Sequence, residues 1–303
     1  MYNIELGKSG LFVPTVAVGC MRISNMNEKE ASAFVDTCLE NNANFFDHAD
    51  IYGDGESEIV FGKAIKNMRE KVIIQTKCGI VPGKMFDFSY EHIINSVDGS
   101  LKRLNTEYID VLLLHRPDAL VEPEEVAKAF SELKTAGKVR HFGVSNQNPH
   151  QIQLLQNYLD MPICANQLQF SIMHTPIIQS GINVNMYNNS AINRDGGVLD
   201  YCRLNNITIQ PWSPMQYGFF EGCFIDNEKF KELNQVLDCI AKKYEVSKTT
   251  VAVAWILRHP AKMQPIIGST NLTRLQESFN ATKIKLTREE WYDIYRAAGN
   301  TLP

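Results

Sequence analysis

The sequence predicts an α/β protein built as one (β/α)8 TIM barrel, plugged at one end by an N-terminal β-hairpin and extended by two helices beyond the repeat. Three observations predict it. From Val72 onward, short β-branched runs alternate with longer stretches of helical period, the pattern of successive βαβ units on a parallel sheet. Eight apolar runs can be counted, each short enough for a strand buried on both faces. A length of 303 residues suits one complete eight-unit barrel, and no Gly/Ser/Pro-rich linker or shift of composition divides it, so residues 1–303 are read as a single domain.

Met1–Val13 carries the turn Gly7-Lys8-Ser9-Gly10 between two strand-like runs and reads as the hairpin. The strand candidates follow as Thr15–Cys20, Asn44–Asp47, Val72–Thr76, Ile109–His115, Val139–Val144, Ile163–Asn166, Ile207–Pro211 and Gln264–Ile267. Helices are expected between them over Glu28–Glu40, Ser57–Lys66, Tyr90–Leu104, Pro123–Thr135, Pro149–Gln156, Val198–Asn205 and Thr249–His259, with Leu272–Asn280 after the last strand. Glu228–Tyr244 and Thr287–Ala297 are the two helices in excess. Ser171–Gly197 is long, rich in Asn and Gly and without clear period, which predicts an active-site loop. A doubly wound sheet would place G-x-G-x-x-G directly after its first strand. Gly53-Asp54-Gly55-Glu56-Ser57-Glu58 begins that way but follows the second strand and lacks the third glycine, so it reads as a turn into a helix.

An apolar fraction of 44% with 21% charged residues is that of a globular chain with a sizeable core. A net charge of −4, with no dense Lys/Arg block, argues against nucleic-acid or membrane-surface partners. The seven cysteines are scattered, odd in number and free of any C-x-x-C pair, which fits reduced thiols. With neither a leader-like N-terminus nor an apolar stretch of membrane length, the expected compartment is the cytoplasm. Composition does not set the oligomeric state.

In such a barrel the chemistry sits where strands end and loops begin. The polar residues closing the apolar runs are therefore the candidates: Asp47 and Tyr52 after the second strand, Lys77 after the third, His115 after the fourth, Ser145 and Asn146 after the fifth, and Asn166 and Gln167 after the sixth. Singly, each has an ordinary reading as a turn cap, a core-edge aromatic or a solvated charge. Jointly, they come from strand ends that converge on one opening. A phenol near pKa ~10 trades protons poorly at neutral pH unless an ammonium lowers it, and Lys77 can supply that charge. Lys77 needs a counter-ion, for which Asp47 is the nearest carboxylate, and His115 is left to orient a substrate oxygen.

Phe45-Phe46-Asp47-His48-Ala49-Asp50-Ile51-Tyr52-Gly53, Thr76-Lys77-Cys78-Gly79, Asp110-Val111-Leu112-Leu113-Leu114-His115-Arg116-Pro117-Asp118 and Phe142-Gly143-Val144-Ser145-Asn146 together resemble the signatures of the aldo-keto reductase family, in order and in spacing. The resemblance runs from the hairpin to Pro265-Ile266-Ile267-Gly268-Ser269 and the helix after it. It implies a catalytic tetrad of Asp47, Tyr52, Lys77 and His115, with hydride passing from a nicotinamide to an aldehyde or ketone carbon while Tyr52 protonates the oxygen. It implies that Ser145, Asn146 and Gln167 bind the nicotinamide carboxamide. The stacking aromatic after the seventh strand, most often Tyr in that family, becomes Trp212, with Ser213 and Pro214 beside it on the cofactor.

For the far end of the cofactor the resemblance implies a phosphate-binding turn through Gly268, Ser269, Thr270, Asn271 and Arg274, with Glu277 near the adenine. The cofactor implied is NADPH/NADP+. NADH is the alternative, because Gly268 stands where many members of the family carry a lysine. Loops around the mouth nominate Met21, Arg22, Phe86, Met186 and Tyr217 for the substrate pocket. Two other functions compete: a barrel that binds NADP(H) to report redox state to a protein partner, and a metal-dependent hydrolase using His48 and Asp50. No H-x-H or H-E-x-x-H pair supports a metal, and none is expected.

Overall fold

The computed structural model describes all 303 residues. Eight parallel strands make the barrel: β1 (Ala17–Gly19), β2 (Phe45–Asp47), β3 (Ile73–Cys78), β4 (Ile109–Leu114), β5 (Val139–Ser145), β6 (Ile163–Gln169), β7 (Thr208–Trp212) and β8 (Ile266–Ile267). Their order around the sheet is β7-β6-β5-β4-β3-β2-β1-β8. The ring is completed between β7 and the approach to β8, where the Gln264 N–H donates to the Ile209 carbonyl at 3.0 Å.

Eleven α-helices accompany the strands: α1 (Glu28–Glu40), α2 (Glu56–Ala64), α3 (Tyr90–Leu104), α4 (Pro123–Thr135), α5 (Pro149–Gln156), α6 (Pro176–Ile182), α7 (Val198–Asn205), α8 (Lys231–Tyr244), α9 (Lys248–Leu257), α10 (Leu272–Asn280) and α11 (Arg288–Ala297). Several start where local chemistry dictates. Asn27 with Glu30, Asn148 with Gln151 and Thr287 with Glu290 form reciprocal capping boxes at α1, α5 and α11, and Pro149 occupies the first turn of α5. No helix is long and apolar enough to cross a membrane.

The hairpin pairs Asn3–Glu5 with Phe12–Pro14 and closes the end of the barrel opposite the mouth. Gly7 is required there: its φ is +60°, and a Cβ on it would stand 2.4 Å from the Cys164 carbonyl oxygen. Its N–H donates to the Thr208 hydroxyl at 2.8 Å, tying the plug to the start of β7.

The two-residue strand period layers the interior. Ile4, Leu6 and Val13 of the plug pack with Ala17, Phe45, Val111, Leu113, Ala165 and Ile266 into an apolar floor. One step up from that floor, Phe45 gives way to Asp47, Ile73 to Gln75 and then Lys77, Ala165 to Gln167, and Thr208 to Gln210 and then Trp212. The barrel therefore turns polar towards its mouth. A larger apolar core lies between strands and helices.

The predicted strands and helices are all present, with ends shifted by a few residues. The stretch over 228–244 differs at its start, where Glu228–Phe230 is a 3-10 turn and the α-helix begins at Lys231. Ser171–Gly197 is neither irregular throughout nor part of the mouth. It contains α6 and a 3-10 turn at Asn189–Ala191, and none of its residues lines the cleft described below. Only Ile177 and Ile178 of α6 are buried, so seven residues display too little periodicity to be read. A ribbon of Gln216–Tyr217 with Gly222–Cys223 sits over the end of β6 instead, held by Gln169 Nε2 to the Gly218 carbonyl (2.6 Å) and Ser171 Oγ to the Gln216 carbonyl (2.8 Å). The long loop docks outward, with Thr175 and Gln179 both donating to Asn300.

Candidate active site at the mouth of the barrel

Asp47 is the last residue of β2, Lys77 lies near the end of β3 and His115 follows β4, so neighbouring strands deliver all three to one rim. Tyr52 returns to that rim through a tight turn. Gly53 and Gly55 there hold φ of +58° and +90°, and a Cβ on Gly53 would stand 2.7 Å from Ser24 Cβ. The Lys77 ammonium is fully buried and donates to Asp47 Oδ2 at 2.8 Å, to the His48 carbonyl at 2.7 Å and to the Tyr52 hydroxyl at 3.2 Å. The His115 ring meets the Tyr52 ring edge-on, with centroids 5.9 Å apart, and its Nδ1 is buried without a partner.

Burial lowers His115 well below the usual histidine value, and Lys77 adds to that, so the ring is neutral. Burial also opposes the charge on Lys77, but Asp47 and Tyr52 outweigh it and the ammonium is held above its ordinary value. The expected net lowering of Tyr52 is not found: burial raises it. Lys77 pulls the phenol down, yet burial is the larger influence and leaves Tyr52 above its ordinary value.

Beneath these residues runs a chain of amides. Asp47 Oδ1 accepts from Gln75 Nε2 (2.6 Å) and Gln167 Nε2 (3.0 Å). Gln75 and Gln210 exchange two hydrogen bonds, Gln210 Nε2 donates on to Gln264 Oε1 (2.9 Å), and Gln264 Nε2 ends on the Pro14 carbonyl (2.7 Å). Both ends of the chain, a carboxylate and a backbone carbonyl, only accept, which fixes the orientation of every amide between them.

A continuous cleft of about 1510 Å³ leads from Met21, Tyr52 and His115 past Trp212 to Arg274 and Glu277. Every residue nominated for the cofactor lines it: Ser145, Asn146, Gln167, Trp212, Ser213, Pro214, Gly268, Ser269, Thr270, Asn271, Arg274 and Glu277. Asn146, at a positive φ of 58°, donates from Nδ2 to Ser145 Oγ (2.7 Å) and accepts from Trp212 Nε1 (3.2 Å), bridging the ends of β5 and β7. Asn271 caps α10 through the Arg274 N–H (3.0 Å), which brings the start of that helix to the far end of the cleft. Lys242, from the last turn of α8, lines the same cleft and was not nominated from the sequence.

A family model described as the aldo/keto reductase family matches residues 15–298. The chain belongs to the aldo/keto reductase family. It is 34% identical to the uncharacterized oxidoreductase YcsN of Bacillus subtilis, over 98% of each chain. It is 32% identical to a 6-dehydroglucose reductase of Agrobacterium fabrum, over 93% of each. Among solved structures it resembles a thermostable aldo-keto reductase crystallised with the inhibitor epalrestat, at a TM-score of 0.79 and 27% identity, covering 98% of this chain and 100% of that one.

The substrate end of this aldo/keto reductase departs most from expectation. Met21 and Arg22 line the cleft, but Phe86, Met186 and Tyr217 do not. Phe86 is carried into solvent by a ribbon pairing Ile80–Val81 with Met85–Phe86, and Ile80 lines the cleft instead. Met186 belongs to the loop excluded by the β7 ribbon. Tyr217, in that ribbon, packs edge-on against Phe230 at 4.8 Å. The ribbon presents Phe219 and Phe220 to the cleft, and Phe220 stacks on Trp212 at 5.8 Å. Ile51 and Arg116 complete that end.

His48 and Asp50, the pair weighed as metal ligands, face away from the mouth. His48 Nδ1 meets Ser57 Oγ at 3.3 Å, and its ring packs on Phe61. Burial, then Lys77, lowers His48 to about 3, while burial and then Glu58 raise Asp50 to about 7. No cluster of three or more His, Cys, Asp or Glu is arranged to hold a metal ion.

Proposed function

We propose that this chain is an NADP(H)-dependent reductase that converts a small aldehyde or ketone to its alcohol, with Asp47, Tyr52, Lys77 and His115 as its catalytic residues. The observation that carries the reading is the contact of the buried Lys77 ammonium with the Tyr52 hydroxyl at the inner end of the cleft. A cleft of about 1510 Å³ is larger than a drug-sized ligand needs and suits a dinucleotide with a substrate beside it. The residues along it fit that cofactor: amide and hydroxyl groups at Ser145, Asn146 and Gln167, an aromatic face at Trp212, and a helix N-terminus at Ser269–Asn271. Arg274 and Lys242 supply two cations for a 2′-phosphate, which favours NADP(H) over NAD(H).

A bound reduced nicotinamide supplies the hydride. The chain's own part is to place and to protonate. Neutral His115, which lines the cleft beside Tyr52, orients the carbonyl oxygen by a hydrogen bond. Tyr52 gives its proton to that oxygen as negative charge develops there. Lys77, kept charged by Asp47, stabilises the phenolate left behind. Asp47 is itself held by Gln75 and Gln167, so the carboxylate cannot rotate away from Lys77.

The test is to mix the purified protein with NADPH or NADH and a panel of aldehydes and ketones while following nicotinamide absorbance. Oxidation of NADPH that depends on the carbonyl compound is the expected result. Tight NADPH binding with no turnover of any carbonyl would point to the redox-reporting barrel instead.

A further inference from the structure

We propose that Arg116 selects carbonyl substrates that carry a carboxylate, and holds that group while the carbonyl faces Tyr52. The inference rests on the reductase reading above and names the class of its substrate. Arg116 directly follows His115 and lines the cleft together with Tyr52 and Trp212. Its Cζ lies 5.8 Å from the Trp212 ring centroid, so the guanidinium reaches from the end of β4 towards the end of β7. There it forms no hydrogen bond and no ion pair with the chain, which leaves its donors unused.

The groups that would occupy it are engaged elsewhere. Asp47 is taken by Lys77, Gln75 and Gln167. Asp118, two residues on, accepts from the Phe88 and Leu120 N–H groups. Asp226 pairs with Lys248 beside α8. Arg22, the other arginine near the mouth, is exposed and donates to the Gly268 carbonyl at 2.9 Å. Lys77 and Asp47 cancel, and His115 is neutral. One uncompensated, half-buried positive charge is left beside the reacting groups. Burial pulls Arg116 below its ordinary value, as it does for a cation lacking an anion. The planar guanidinium matches a carboxylate bidentately, and the partly desolvated setting strengthens that contact.

The test compares para-carboxybenzaldehyde with its methyl ester at saturating NADPH, in the wild type, Arg116→Leu and Arg116→Lys. The wild type is expected to prefer the acid by about tenfold or more in kcat/KM, chiefly through KM. Arg116→Leu is expected to bring the acid-to-ester ratio close to one, and Arg116→Lys to restore part of it. Calorimetric binding of the corresponding para-hydroxymethyl benzoate and its methyl ester, in the presence of NADP+, gives a readout without turnover. Acid-selective binding that Arg116→Leu abolishes supports the role of Arg116 whether or not either aldehyde turns over, and the reductase reading falls separately, on the absence of turnover across the whole carbonyl panel. Turnover with no preference for the acid overturns the role of Arg116 and leaves the reductase reading standing. A rise in the KM for NADPH in Arg116→Leu, with the acid-to-ester ratio intact, assigns the guanidinium to the cofactor and also overturns it.

Discussion

Lys77 donates to the Tyr52 hydroxyl at 3.2 Å from a position fully shut off from solvent. A buried ammonium costs several kcal/mol, so it persists only where the chain compensates it. Asp47 does so here, and the glutamines behind Asp47 keep it in place.

Tyr52→Phe keeps the ring and removes the proposed acid. NADPH affinity, followed by fluorescence titration, is expected to stay close to that of the wild type, while kcat for any active carbonyl falls by about 10²-fold or more. Wild-type turnover in this variant would remove Tyr52 from the mechanism.

Lys77→Met removes the one charge that pulls Tyr52 down. Because burial already sets the phenol above its ordinary value, wild-type reduction is expected to stay level through neutral pH and to decline only beyond about pH 10. The variant should be slower by about 10²-fold, with its alkaline limb moved higher still. A limb that stays in place, read from kcat against pH, would disprove the coupling.

Gln75→Leu removes the 2.6 Å bond to Asp47 and leaves Gln210 short of a buried partner. A loss of about 1–3 kcal/mol is expected from urea unfolding. The kcat for the carbonyl substrate should also fall, more than it does in a floor variant of comparable stability such as Val111→Ala. Equal kcat in the two variants would make the amide chain purely structural.

His48 is held near 3 in the fold, whereas in the unfolded chain it titrates at about 6.5. The stability it contributes is therefore complete above that higher value and is lost as pH falls through it towards about 3. Asp50, raised to about 7, acts in the opposite sense, and stabilises the fold as pH drops from 7 towards the ordinary carboxylate range. His48→Asn is expected to flatten the fall of unfolding free energy between about pH 6 and 4 by about 1.4 kcal/mol per pH unit, one proton's worth. Urea titrations at several pH values measure it, and an unchanged slope would contradict the buried neutral ring.

Arg274→Ala should raise the KM for NADPH by about tenfold and affect NADH far less, since only the former carries the extra phosphate. Equal changes for both cofactors would place Arg274 elsewhere on the dinucleotide.

Much of this was legible in the sequence because barrel geometry turns strand ends into neighbours. Asp47, Lys77 and His115 each close an apolar run, and a run has only one such end. The amide chain shows itself only in three dimensions. Gln75, Gln210 and Gln264 each sit alone in a different apolar stretch, and only the ring order of the strands shows that they touch. Phe86 and Tyr217 are not placed by the sequence, for another reason. Both belong to ribbons of two-residue strands, and so short a segment does not declare which side chains turn inward. Arg116 lay inside a recognised motif, but nothing in one dimension reveals that a cation lacks a partner.

The seam between β7 and β8 gives the barrel a weak stave. β8 contributes only Ile266 and Ile267, and one backbone hydrogen bond, from Gln264 to Ile209, with the Gln210–Gln264 side-chain hydrogen bond beside it, links it across the gap. Trp212 and Gly268 stand just above that gap, one on each side, so a ligand gripping both would act as a hoop around a cask. Amide exchange in 264–267 should then slow when dinucleotide is added, far more than exchange at the β4–β5 joint, which is already fully laced.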